Sequence, residues 1–144
     1  MNRRHSLPLW ATLTAALVAC VGCAKPVKLV PAAGVVAIDG KPAEGILVQL
    51  LPQTRDGRRM PTSFGTTGAD GGFTLITHDG KPGAVEGPHA VLLADTLEER
   101  PAQGQRATRP PRLDARYTTL AGRLTATVVE GGESIRIDLP AIGP

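Results

Sequence analysis

Residues 124–139 read LTATVVEGGESIRIDL. Leu124, Ala126 and Val128 alternate with Thr125 and Thr127, and Ile135, Ile137 and Leu139 alternate with Ser134, Arg136 and Asp138. Successive side chains of a strand point to opposite faces of a sheet, so each run has one apolar and one polar face. Between them, Glu130-Gly131-Gly132-Glu133 supplies residues suited to a change of direction. The stretch predicts two strands joined as a hairpin and buried on one side.

Working back from that stretch, short apolar runs recur between turn signals. Val35-Val36-Ala37-Ile38 stops at Asp39-Gly40-Lys41-Pro42, and Ile46 to Leu51 stops at Pro52. Phe64 to Thr67 and Phe73 to Thr77 flank Gly68-Ala69-Asp70-Gly71-Gly72, which predicts a second hairpin with Asp70 capping its turn and Phe73 entering the core. Ala90 to Ala94 follows Gly87-Pro88. No stretch beyond the N-terminal region sustains a helical period, and glycine and proline break most windows long enough for one. Regular strands without alternating helices predict an all-β, antiparallel two-sheet sandwich.

The N-terminus has Arg3-Arg4, an apolar run from Leu7 to Ala19 and then Cys20, the layout of a secretory signal and too short to span a bilayer comfortably. Leu17-Val18-Ala19-Cys20 resembles the lipobox of bacterial lipoproteins, in which the cysteine sulfur accepts diacylglycerol before the preceding peptide is removed. Cys23 is the alternative, but Cys20-Val21-Gly22-Cys23 lacks the leading leucine. The residues around Arg3-Arg4 fit a twin-arginine signal badly. The expected organisation is a signal peptide over 1–19, a lipidated tether over 20–33 and one domain over 34–141, which places the protein in the cell envelope on a bacterial membrane.

Removing Arg3 and Arg4 with the signal leaves 14 basic against 13 acidic residues. That balance gives no basic face for nucleic acid. Both cysteines precede the domain, so no disulfide staples it.

Gly34-Val35, Asp39-Gly40-Lys41-Pro42, Asp70-Gly71-Gly72-Phe73, Gly83-Ala84, Gly87-Pro88-His89 and Ile137-Asp138-Leu139 follow one another in an order that resembles bacterial lipoproteins with a carboxypeptidase regulatory-like, transthyretin-like domain. The resemblance covers Gly34 to Leu139. It implies a seven-stranded sandwich acting as a non-catalytic module.

Enzyme readings lack their parts. Neither H-E-x-x-H nor G-x-S-x-G occurs. The chain also lacks the terminal Tyr-Arg-Gly-Ser motif of the hydroxyisourate hydrolases that share a transthyretin-like fold. Asp70 stands alone, without the spaced carboxylates of a calcium loop. His78 and His89 lack partners at metal-ligand spacing and read as surface or edge residues. No catalytic residue, metal or cofactor is expected. The first strand offers no lysine for an isopeptide bond. Phe64 and Phe73 read as core residues, so exposed aromatic platforms for sugars are scarce.

The segment DTLEERPAQGQRATRPPRLDAR, residues 95–116, is long for a loop and carries five arginines and three prolines. Arg106, Arg109 and Arg112 are candidate ligands for an anion, with Arg55, Arg58 and Arg59 of the other long loop as possible contributors. The expected function is a monomeric, membrane-anchored module for protein or envelope-polymer interaction. The alternative is a module that recognises an anionic or carbohydrate ligand through loop 95–116.

Overall fold

Ala33–Ile38, the run AGVVAI, forms the strand on which one of the two larger sheets is built. In the computed structural model, which describes residues 27–53, 57, 59–98, 103–106, 109–122 and 124–142, eleven strand segments follow in order. They are β1 (Leu29–Val30), β2 (Ala33–Ile38), β3 (Lys41–Pro42), β4 (Ile46–Pro52), β5 (Ser63–Thr66) and β6 (Gly72–Thr74), then β7 (Ile76–Thr77), β8 (Ala84–Val85), β9 (Gly87–Asp95), β10 (Thr125–Val128) and β11 (Ile135–Leu139). Two short 3-10 turns, Ala115–Thr118 and Leu120–Gly122, precede β10.

The chain is all-β. One sheet has the order β10-β9-β4-β5-β7 and the other β11-β2-β3, with β6 also on β2; β1 and β8 pair separately. Alternation decides which face is buried: Ile46, Val48 and Leu50 on β4, Val91 and Leu93 on β9, Val36 on β2, and Ile135, Ile137 and Leu139 on β11 join one apolar core. Fully burying a side chain of this size contributes about 1.5–3 kcal/mol, and the core spans both sheets.

The two expected hairpins are corrected. β10 pairs antiparallel with β9, whereas β11 pairs with β2, and in parallel. The Val129–Ser134 link therefore carries the chain from one sheet to the other. The sheets are antiparallel apart from this β2–β11 pair. Likewise β5 pairs with β4 and β7, while β6 pairs with β2, so the turn at 68–72 also changes sheets. Alternation fixes which face of a strand is buried, and two strands facing each other across a core satisfy it as well as two neighbours in one sheet.

Leu75 explains why the expected run from Phe73 to Thr77 is two segments. Its N–H donates to Ala32 O at 3.0 Å and its carbonyl accepts from Gly83 N at 2.7 Å, taking its backbone out of both ladders. The side chain is fully buried. This break, together with the two-residue segments β1, β3 and β8, gives eleven segments where seven strands are expected.

The domain begins earlier than residue 34. Val30, within the expected tether, is buried in the core, and Leu29 and Val30 pair with Val85 and Ala84. Lys28 forms an ion pair with Glu130 that holds this segment against the turn before β11. An apolar pair beside two prolines reads as linker in isolation, because its partner strand lies more than fifty residues away.

Candidate functional site

Asp70 accepts a hydrogen bond from Gly72 N at 2.9 Å, and Gly71 N and Gly68 N donate to Gly68 O and Gly72 O. The carboxylate is committed to its own turn. Gly71 has φ +73° and lies so close to β2 that a Cβ there would meet Val36 O at 2.5 Å, so the glycine answers both a left-handed backbone and a close approach. Phe73 follows into the core, with its ring against Gly34.

The arginine segment divides into unlike parts. Arg106 and Arg109 are exposed, and among the described residues they form no ion pair. Arg112 is already engaged. Its Nε donates to Asp95 Oδ2 at 2.6 Å, and one terminal nitrogen donates both to Asp95 Oδ1 and, at 3.0 Å, to the Glu44 carbonyl. The Asp95 side chain is only 3% exposed. Burial pushes its carboxyl pKa up, but the paired bonds from Arg112 and the Leu97 N–H outweigh this and hold it below the usual carboxylate value. The fork of Arg112, a candidate anion ligand, thus closes the loop onto the end of β9 and the β3–β4 turn.

The loop does not lie wholly outside the core. Leu113, next to Arg112, is 6% exposed and packs in the central cluster. Asp114 caps the first 3-10 turn by accepting from Arg116 N at 2.9 Å, and the Arg116 guanidinium sits 4.9 Å from the Tyr117 ring centre. Such a cation–π contact at an exposed site contributes about 0.5–1 kcal/mol. Arg59 is exposed; Arg55 and Arg58 lie outside the described residues, as do Cys20 and Cys23.

His78 is exposed, as expected. His89 is not a surface or edge residue. It shares the inward parity of Val91 and Leu93 on β9 and is 1% exposed. Its Nδ1 lies 2.9 Å from the Gly87 carbonyl, which can only accept, so Nδ1 carries the proton and Nε2 is buried with no partner among the described residues. Burial pushes its pKa down, with the Gly87 contact opposing. The signal was present in the sequence: counting by twos along HAVLL puts His89 on the face of Val91 and Leu93. Phe64 shows the same parity effect in reverse. Ser63 and Gly65 take the buried positions of β5, and Phe64 is only partly buried.

An apolar groove of about 550 Å³ opens beside the clasp, lined by Ile38, Pro42, Pro110, Pro111 and Ile142 together with the basic Lys41 and Arg112. The sequence marked the basic residues of this loop and missed the groove, because its walls come from three separated segments.

Among the described residues no group of three His, Cys, Asp or Glu side chains could hold a metal ion, and no helix is long and apolar enough to cross a membrane. Set against protein-family models, curated proteins and solved structures, the chain matched none.

Proposed function

We propose that the chain is a membrane-anchored, non-catalytic lipoprotein whose seven-stranded, transthyretin-like sandwich presents the proline-walled groove to an envelope protein or polymer. The groove carries the reading. It is open and mainly apolar, its lining includes the basic Lys41 and Arg112, and two of its walls, Pro110 and Pro111, adjoin the Arg112–Asp95 clasp. Proline walls hold their shape without the ordering cost of flexible side chains. Cys20 carries the lipid in this reading, with Cys23 as the alternative.

Two measurements test it. Material captured from envelope membranes by the parent should be lost with Ile142→Asp, an exposed position whose change leaves the core intact; equal capture by both would remove the groove from the reading. Fatty-acid labelling should vanish in Cys20→Ser and persist in Cys23→Ser, and the reverse pattern would move the anchor.

A second reading keeps Arg106 and Arg109 as contacts for an anionic ligand, since both are exposed and outside the clasp. Replacing both with glutamine should then flatten the salt dependence of binding, because screening already limits exposed charges beyond about 8 Å at physiological salt.

A further inference from the structure

Strand β11 is the outer strand of its sheet, paired with β2 and, among the described residues, with nothing on its other side. In a parallel ladder, alternate residues turn both backbone groups toward the same neighbour. Leu139 O accepts from Asp39 N at 2.8 Å, and Pro140 has no N–H to offer. Ile135, Ile137 and Leu139 thus address β2, and the N–H and C=O groups of Arg136 and Asp138 face the open edge. The side chains of these two residues stand on the solvent face, 73% and 56% exposed, and bond to each other at 2.8 Å.

An open edge is usually guarded by charge, because a strand from any source could otherwise extend the sheet. Here the guard has one cation and one anion two positions apart. Of the antiparallel registers centred within Arg136–Asp138, that pattern favours one. An antiparallel copy centred on Ile137 puts Arg136 opposite Asp138 of the second copy, and Asp138 opposite its Arg136. Centring on Arg136 or on Asp138 instead opposes like charges.

We propose that β11 is a self-recognition edge, which pairs antiparallel with β11 of a second copy about a two-fold axis at Ile137. The backbone polarity allows this register, as it does its two neighbours, and the charges make the choice. Arg136 and Asp138, whose N–H and C=O groups point outward, become the doubly hydrogen-bonded pairs of the new ladder. The apolar residues keep their places, since Ile135 meets Leu139 of the second copy on the inward side. β10, the outer strand of the other sheet, has no charged residue within Thr125–Val128 and adds no repulsion. The monomer expected from the sequence is then the dilute form of a concentration-dependent dimer.

The test is sedimentation equilibrium of the full chain in detergent over a wide concentration range. The parent should self-associate. Arg136→Asp makes the edge wholly acidic and Asp138→Arg wholly basic, and each alone should weaken association by at least about tenfold, since two directly opposed pairs change from attractive to repulsive. Mixing the two variants should restore a dimer containing one of each, and the exchanged double variant Arg136→Asp/Asp138→Arg should dimerise with itself. Unchanged melting of the single variants will show that the fold is intact. A parent that stays monomeric throughout, single variants that associate like the parent, or a mixture whose members stay apart would each overturn the proposal.

Discussion

The turn at Gly68–Gly72 and the connection from Asp95 to Asp114 both reverse the chain with a carboxylate as organiser, yet they are built on different scales. In the first, Asp70 binds Gly72 two residues on, two backbone bonds close within the same five residues, and a single bond from Val36 N to Gly71 O ties the turn to β2. In the second, Asp95 binds Arg112 seventeen residues on, and Arg112 reaches Glu44, sixty-eight residues back. A turn held by its own residues is written in local chemistry. A clasp between distant segments depends on which strands are neighbours, and no nearby residue announces it.

The largest expected effect tests whether the local turn needs anything beyond itself. Phe73 leaves the turn and packs on Gly34 of β2, joining the two sheets. Phe73→Ala should cost about 3–5 kcal/mol, seen as a large fall in the denaturation midpoint. An unchanged midpoint would mean that the turn's stability is self-contained.

Arg112→Gln probes the long-range clasp. It strands a nearly buried carboxylate, and hydrogen bonds to charged groups contribute about 1.5–3 kcal/mol. Calorimetry should show a lower melting temperature, and the same change at Arg109 should leave it nearly unmoved. Equal, small effects at both positions would return Arg112 to the exposed anion-binding set.

Acid sharpens the contrast further, because two buried groups respond in separate windows. The folded-state pKa of His89 lies below the ordinary histidine value of 6.5. Both states are neutral at high pH, and as pH falls through 6.5 the unfolded chain takes up a proton that the folded one does not. Stability is therefore full above 6.5 and declines below it, by no more than about 1.4 kcal/mol per pH unit for one proton. Asp95 has a folded pKa below 3.8, so its contribution is present above that value and is lost as pH falls further. Urea midpoints against pH should thus fall in two stages. His89→Gln should remove the first, and Arg112→Gln should flatten the second.

The smallest effect belongs to the local turn. Asp70→Asn retains an oxygen for Gly72 N and should cost at most about 1 kcal/mol, with no calcium-dependent change in melting. A calcium-induced rise that disappears in the variant would make the turn a binding loop.

How much of this was legible follows the same division. The apolar alternation of 124–128 and 135–139 identified both strands and their buried faces, and Asp70-Gly71-Gly72-Phe73 identified its turn, cap and core residue. Parity along β9 also contained the burial of His89, although its position at the beginning of a strand suggested an edge. The groove and the role of Arg112 were not legible, because each is assembled from segments separated by dozens of residues.

By itself the sequence determined the all-β class, the inward and outward faces of most strands and the positions of the turns, since these depend on spacing and on backbone preferences within a few residues. Only the tertiary structure decided that β10 and β11 belong to different sheets, that β11 runs parallel to β2, that Val30 joins the core and that Arg112 is spent on Asp95. The physical reason is that burial constrains which side of a strand faces inward but not which strand lies beside it. The choice of neighbour is made by hydrogen bonding and packing between segments far apart in the chain.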